Sequence, residues 1–237
     1  MAPEPRPGPA PAPRGSATRH LILVAAERLV GERGIAALSL REAAGTAGAR
    51  NNSAAQYHFG TKDGLIDAIF ELRMGTINEA RLARLDAAAA DGRGDDVTAL
   101  VEALVVPLVE AMGEAPQSSW YGRFLAEFTA DPQATARLAD VDRGVMTGLR
   151  RVISGLQAHL HSLPAPIRRQ RIDLAVRMTI LATAEYERRR DAGRLEAGSL
   201  AVLAAGLCDA LTGLLDAPVS ASTSLLLDHH SRQGARS

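Results

Sequence analysis

The sequence predicts an all-α fold in which a small three-helix head is joined through a fourth helix to a larger helical domain. Apolar residues make up 46% of the 237 residues but aromatic residues only 3%. Alanine and leucine therefore do most of the packing, which favours close contact between helices. Apolar residues also recur at helical spacing, and no stretch shows the sustained period-two alternation that indicates strands.

The first helix of the head is expected over residues 18–33. Ile22, Ala26 and Leu29 recur there at helical spacing, and Gly34 follows as a stop signal. Residues 1–15 are rich in proline and contain no large apolar side chain other than Met1, so we expect a disordered arm.

Two short helices separated by a tight turn are expected next. Ser39 and Glu42 form a capping box that starts the second helix. Gly48 ends it by adopting the left-handed conformation, and Asn51 or Asn52 caps the third helix. This spacing predicts a helix-turn-helix.

A fourth helix is expected to follow after a tight connection at Phe59 and Gly60. Thr61 can cap this helix, and Lys62 and Asp63 begin it. Lys62 is the only lysine in the chain, and every other cationic side chain is an arginine. A compact, flexible point charge suits a phosphate contact.

The charge balance agrees with a divided chain. Residues 1–64 contain eight Arg and Lys against five Asp and Glu, a formal charge of +3, whereas the remainder contains nineteen against twenty-two, a charge of −3. The head is therefore basic although the whole chain is neutral. Asn, Ser, Gln, Tyr and His side chains just before Lys62 are of the types that contact DNA phosphates and base edges.

These segments resemble the TetR-type bacterial transcriptional regulators. The resemblance covers about residues 19–70 and rests on an ordered set of motifs: A-x-x-L-x-x-x-x-G from Ala26, S-L-R-E-A-A from Ser39, A-G, and Y-H-F-G-T-K-D-G-L from Tyr57. It implies an all-helical dimer with an N-terminal DNA-binding head and a C-terminal domain that binds a small ligand and releases DNA.

Carried over by position, the resemblance implies that phosphates are contacted by Ser39, Arg41, Tyr57, His58 and Lys62. Base reading falls to residues before and within the third helix, namely Arg50, Asn51, Asn52, Ser53 and Gln56. The sequence departs from the family pattern here, because Gln56 stands where tyrosine is usual and the turn is one residue longer. The register of this recognition helix, and which of its side chains contact bases, are left open.

The rest of the chain is expected to form five further helices. They begin after Asp95 or Asp96, after Ser118 or Ser119, at Asp131 and Pro132, at Pro166 and at Ser199, and Pro107 should bend the first of them. The third of these is expected to reach about residue 161. The expected divisions are an arm at 1–15, a DNA-binding domain at 16–72, a ligand-binding and dimerisation domain at 73–218, and a flexible tail at 219–237.

Aromatic residues are concentrated in the second of these five helices. Trp120, Phe124 and Phe128 stand at i, i+4 and i+8, a spacing that places them on one helical face. We expect an apolar ligand pocket bounded by Trp120, Phe124, Phe128, Met146 and Met178. The alternative is that the rings simply fill the core between helices.

The last two expected helices are the candidates for dimerisation. The final helix carries a wide leucine stripe, and Gly206 and Gly213 would allow a neighbour to approach closely. The preceding helix offers a partner face made of Ile172, Ala175, Val176, Thr179 and Ala182. The resemblance implies a four-helix bundle across a two-fold axis, and the alternative is burial of both faces within one subunit.

The sequence therefore favours a DNA-binding regulator, a repressor that an apolar effector releases from a palindromic operator. We expect no enzymatic activity, no cofactor, no metal and no membrane association, in a cytoplasmic protein with one cysteine, Cys208. Two alternatives stay open. One is a helical ligand-binding protein or enzyme without specific DNA binding, and the other is an architectural protein that binds any duplex.

Overall fold

The computed structural model describes residues 14–48, 53–113, 119–132, 144, 146–196 and 198–234. That part of the chain forms ten α-helices and one 3-10 turn and contains no β-strand, as the sequence predicts. The helices are α1 (Arg14–Arg33), α2 (Leu40–Thr46), α3 (Ser53–Phe59), α4 (Lys62–Ala90), α5 (Val97–Gly113), α6 (Tyr121–Ala130), α7 (Thr147–His159), α8 (Ala165–Asp191), α9 (Ser199–Asp216) and α10 (Ala221–Gly234).

The helix boundaries in the head follow the local signals of the sequence. The Ser39 hydroxyl accepts a hydrogen bond of 3.1 Å from the Glu42 amide and caps α2. Gly48 ends that helix with a φ of 67°, a left-handed conformation that glycine adopts without strain. Arg14 and Gly15 were assigned to the disordered arm, but they form the first residues of α1.

The long helix α4 connects the head to the remainder of the molecule. Thr61 caps it by accepting a 3.0 Å hydrogen bond from the Gly64 amide. The helix then runs without interruption past residue 72, where the sequence placed the end of the DNA-binding domain. At its far end, residues 91–96 form a turn and Asp96 caps α5 by accepting from the amide of Thr98 at 2.7 Å.

Two apolar clusters form the core. The first contains the inner faces of α1 to α4 and extends into α6 through Tyr121, Phe124 and Phe128. The second is built from α5, α7, α8 and α9, with Leu85 of α4 at its edge. Because α6 belongs to the cluster that holds the head together, the head and the larger domain share a core.

Three segments differ from the sequence prediction. Gly144 and Met146 lie in turns, so the expected continuous helix from Pro132 to about residue 161 is wrong and α7 begins only at Thr147. Trp120 is the N-cap residue of α6 and lies just before the helix, while the Ser119 hydroxyl accepts from the Tyr121 amide at 3.2 Å. The tail contains α10, which the Ser220 hydroxyl caps at the Thr223 amide.

Helix α9 is long and apolar enough to cross a membrane by length and composition alone, with a mean hydropathy of 1.5. Core helices of soluble proteins often satisfy the same criterion. Its inner face packs in the second apolar cluster through Leu207, Cys208, Leu211 and Leu215.

Candidate nucleic-acid interface and internal cavity

Helix α3 presents one polar face to solvent and buries the opposite one. Ala55 and Phe59 are buried in the first core cluster. Ser53, Gln56 and Tyr57 stand at i, i+3 and i+4 and are all exposed, as is expected for residues on one helical face. Tyr57 is 86% exposed, the highest value among the large apolar and aromatic side chains of the described residues. The packing therefore fixes which face of α3 is free for a partner.

Two polar side chains near this face are held by the protein itself. The Gln56 side-chain amide donates to the carbonyl of Gly60, one turn later. Lys62 is half-buried, and its ammonium donates a 2.7 Å hydrogen bond to the carbonyl of Ile35. This bond ties the start of α4 to the turn between α1 and α2. An ammonium has three N–H donors, so Lys62 retains donor capacity beyond this bond.

The remaining expected DNA-contacting residues lie on both sides of the turn. Arg41 is exposed on α2, and His58 is half-buried on α3 with its ring edge-on to Tyr57 at 5.3 Å. The Ser39 hydroxyl is used in capping α2. Arg50, Asn51 and Asn52 lie outside the described residues, so their roles as base readers stay predictions.

An apolar cavity of about 110 Å³ lies between the head helix α4 and the helices of the larger domain. It is lined by residues of α4, α5, α6, α7 and α8 together with Met146. The lining residues are Phe70, Met74, Arg81, Leu104, Leu108, Leu125, Phe128, Thr129, Met146, Leu149, Val176, Thr179 and Ile180. Nearly the whole wall is apolar, as is typical of small-molecule sites.

The structure brings only two of the five expected pocket residues to this cavity, Phe128 and Met146. Phe124 is fully buried but stacks between Tyr121 and Phe128, so it fills the core as in the alternative interpretation. Trp120 lies elsewhere, with the Arg123 guanidinium 4.1 Å from its ring centroid. Met178 is exposed on α8. Trp120, Phe124 and Met178 therefore do not line this cavity, and their roles in ligand binding stay predictions.

Arg81 is the charged residue of the cavity wall, and the sequence analysis did not identify it. It is only 3% exposed. Its Nη2 donates to the carbonyl of Leu104 at 3.3 Å, whereas Nε and Nη1 have no partner. Burial lowers the pKa of Arg81 to about 10, although interaction with Tyr121 opposes this shift. The guanidinium therefore stays charged at neutral pH.

A second buried charge joins the head to the larger domain. Glu27 of α1 is 1% exposed, and its carboxylate accepts from Arg73 Nε at 2.6 Å and Nη2 at 3.0 Å. The same carboxylate accepts from the backbone amide of Trp120 at 2.9 Å. We call this cluster the joint, since it connects α1, α4 and the start of α6.

The carboxylate of Glu187 in α8 also binds backbone amides at the start of α6. Its two carboxylate oxygens accept from the amides of Gly122 at 3.1 Å and Arg123 at 2.9 Å. Burial raises the pKa of Glu187 to about 7, and these two hydrogen bonds only partly oppose the shift. Gly122 is required here, because a Cβ on it would lie 2.9 Å from the backbone of Thr183.

The face of α8 that was expected to form a dimer is mostly buried within the subunit. On α8, Ile172, Ala175 and Thr179 are buried within the subunit, and Val176 and Ala182 are partly buried. The apolar face left open consists of Leu174, Met178 and Leu181, with Val202 exposed on α9. Gly206 and Gly213 have open space beside them.

Two histidines near the end of α7 and the cysteine of α9 are engaged or buried. His159 Nε2 lies 2.9 Å from Asp216 Oδ1, and His161 Nδ1 lies 2.9 Å from the carbonyl of Ala158. Cys208 is buried, and burial raises the pKa of its thiol to about 11. A thiol with this pKa is a poor nucleophile at neutral pH.

The fold is similar to those of solved bacterial transcriptional regulators. The haemolysin II transcriptional regulator HlyIIR matches with a TM-score of 0.55 and 19% identity over 84% of this chain and 98% of its own. The fatty acid degradation regulator FadR from Bacillus halodurans matches with a TM-score of 0.54 and 14% identity over 84% of this chain and 99% of its own. Neither a protein-family model nor a curated protein sequence matches the chain. The chain thus has the all-α TetR-type fold, which confirms the fold that the resemblance implies.

Proposed function

We propose that this protein is a sequence-specific DNA-binding transcriptional regulator that acts as a homodimer and responds to a small molecule bound in the internal cavity. The observation that carries the proposal is the outward face of α3. A short helix whose inner face is locked in the core presents Ser53, Gln56 and the exposed Tyr57 to solvent, after a second helix that carries Arg41. This is the geometry of a recognition helix that enters a major groove.

The exposed apolar surface on α8 and α9 supports a dimer. Leu174, Met178 and Leu181 stand at i, i+4 and i+7, so they form one stripe, and Val202 is 72% exposed on the next helix. A two-fold dimer formed through this surface would carry two α3 helices related by the axis. The operator should then be palindromic.

The position of the cavity supports regulation by a ligand. Phe70, Met74 and Arg81 of α4 line it, and the same helix begins at Lys62 in the head. A ligand that binds better to one position of α4 than to another would change the spacing of the two heads. Only such a difference in affinity can release DNA, and on this basis we infer a repressor that its effector removes from the operator.

The DNA-binding part of the proposal is tested by fluorescence anisotropy with the duplex upstream of the protein's own gene, at several salt concentrations. Arg41→Ala should weaken binding to all sequences and lower the salt slope by about one phosphate contact per subunit. Gln56→Ala should instead cost about 1 to 3 kcal/mol and relax specificity at one position.

Arg93→Ala is the matched control for Arg41→Ala, because Arg93 is an exposed arginine in the turn after α4. It should bind DNA as the wild type does. Lys62→Ala is interpreted only together with its thermal unfolding, since it also removes the bond to Ile35. Equal binding of every duplex by the wild type would support the architectural alternative and contradict sequence-specific regulation.

The dimer is tested by analytical ultracentrifugation of Leu181→Glu, since Leu181 is 58% exposed on α8. A charge introduced into the apolar stripe should convert the dimer to a monomer. Leu21→Glu, which introduces the same charge at an exposed leucine of α1, should leave the dimer intact. A wild type that sediments as a monomer at micromolar concentration would contradict this part of the proposal.

A further inference from the structure

Arg81 in the cavity wall is a cation with no counter-ion among the described residues. Arg81 is almost fully buried, and two of its three guanidinium nitrogens have no hydrogen-bond partner. Its single bond goes to a neutral carbonyl of α5. A buried charge without a partner is costly, and removal of even one partner of a buried ion pair is strongly destabilising. Within the part of the chain that the structure describes, the charge of Arg81 is therefore left unneutralised.

The polar groups near Arg81 that lack a partner are also hydrogen-bond donors. Asn78 lies one turn before Arg81 on α4, and both approach Gly148 at the start of α7. The Asn78 amide oxygen accepts from the Leu149 backbone amide at 3.2 Å, which leaves its Nδ2 without a partner. The Tyr121 hydroxyl, which interacts electrostatically with Arg81, is buried and unpaired as well. Neither Asn78 nor Tyr121 is part of the cavity wall, so of these unpaired donors only Arg81 belongs to the site, where an acceptor of hydrogen bonds would complete it.

The other polar groups of the cavity wall already have acceptors in their own helices. The Thr129 hydroxyl donates to the carbonyl of Leu125 at 2.7 Å, and the Thr179 hydroxyl donates to that of Ala175 at 2.9 Å. Recognition of charge therefore falls to Arg81, while the remaining wall contacts an apolar body. A cavity of about 110 Å³ is close in size to engineered apolar cavities of about 150 Å³ that bind benzene.

We propose that the effector is a small apolar carboxylic acid, with a body of about one ring, whose carboxylate pairs with Arg81. A carboxylate supplies one negative charge for one guanidinium and only accepts hydrogen bonds, and its two oxygens match the fork of the guanidinium. A dianionic phosphate would bring a second charge into a wall with no second cation. This inference rests on the proposed function, because it assigns the chemical class of the ligand to the same cavity.

The test compares benzoate with nitrobenzene, which has the same shape and no net charge, by isothermal titration calorimetry on the full chain at pH 7. The wild type should bind benzoate at least about tenfold more tightly than nitrobenzene. In Arg81→Met the affinity for benzoate should fall about 100-fold, the scale of a lost buried charge pair, while nitrobenzene binds as before. A second titration at higher pH compares benzoate with phenylphosphonate, which is a dianion there. Because of its second charge, phenylphosphonate should bind the wild type more weakly than benzoate does.

Two further variants keep the test interpretable. Arg84→Met is the matched control, because Arg84 lies on the same helix but is partly exposed and paired with Glu110 at 2.8 Å. It should bind benzoate as the wild type does. Arg81→Lys keeps the charge but loses the fork, so it should retain a reduced preference for benzoate even if Arg81→Met fails to fold.

The possible failures are distinguishable. Equal affinity of the wild type for benzoate and nitrobenzene, or a preference for benzoate that survives Arg81→Met, overturns the assignment of a carboxylic acid but leaves the cavity as a ligand site. If neither ring compound binds the wild type, the cavity itself fails as a site for such molecules, and the effector part of the proposed function fails with it. DNA binding is measured separately and is not affected by either result.

Discussion

Two arginines on the same face of α4, about two turns apart, meet opposite environments. Arg73 is held by both oxygens of Glu27 in the joint, whereas Arg81 belongs to the cavity wall and has two nitrogens without a hydrogen-bond partner. Arg73 is half-buried and Arg81 is buried, but among the described residues only Arg73 has a counter-ion. The joint is thus complete without a ligand, and the cavity is not.

This difference separates a structural role from a binding role. The bidentate pair of Glu27 and Arg73, extended by the bond to the Trp120 amide, fixes α1, α4 and the start of α6 relative to one another. Arg81 contributes no comparable contact between helices, since its only bond is a long one to the Leu104 carbonyl. Substitutions at the two sites should therefore change stability in opposite directions.

The largest effect is expected at the joint. Glu27→Ala would leave Arg73 and the Trp120 amide without their acceptor in a buried place, so the free energy of unfolding should fall by about 3 to 5 kcal/mol. Urea denaturation measures this loss. Glu32→Gln is the control on the same helix, because its ion pair with Arg28 is partly exposed, and it should cost less than about 1 kcal/mol. If both variants lost a similar free energy of unfolding, the joint would contribute no more to stability than a partly exposed ion pair does.

The next effect concerns Glu187 at the start of α6 and depends on pH. Burial raises its pKa from 4.5 to about 7, so the folded state binds the proton more tightly than the unfolded state. The contribution to stability is complete below about pH 4.5 and is lost as pH rises through 7, on the order of 3 kcal/mol in all.

This loss is measured by urea denaturation of the wild type and of Glu187→Gln between pH 5 and 8. The amide cannot ionise, so the variant should lack this part of the pH dependence. Parallel curves for the two proteins would show that Glu187 does not titrate in this range.

The smallest effect, and one of opposite sign, is expected at Arg81 in the absence of ligand. Arg81→Met replaces an unpaired buried charge with an apolar side chain of similar length. The unliganded variant should be as stable as the wild type or more stable by up to about 2 kcal/mol. Thermal unfolding measures this difference. A loss of stability as large as that of Glu27→Ala would mean that Arg81, like Arg73, holds the helices together.

Local signals in the sequence were sufficient for most of the helix ends. Ser39, Thr61 and Asp96 cap the helices they were expected to cap, and Gly48 ends α2. These features depend on neighbours within four residues along the chain, so they can be read from the order of residues. The same local logic missed the Ser220 cap of α10, because the polar composition of the tail suggested an unfolded segment.

The cavity wall was predicted less well than the helices. Phe128 and Met146 line it, whereas Trp120 and Met178 do not. A spacing of four residues places side chains on one face only if the helix includes all of them, and α6 begins after Trp120. The face of α8 expected at a dimer interface is largely buried in its own subunit. Periodicity shows that a helix face is apolar, but it does not show which neighbour covers that face.

The sequence by itself determined the all-α class and the Ser39 and Thr61 caps in the head, because local backbone preferences and helical periodicity decide these features, whereas the packing of Ala55 and Phe59 decided which face of α3 points outward. Only the tertiary structure decided that Arg73 meets Glu27 while Arg81 meets none. The sequence gives no sign of this difference, since both are single arginines on one long helix. Partners more than twenty residues away along the chain determine whether a buried charge is neutralised, and only the packing of the helices brings such partners together.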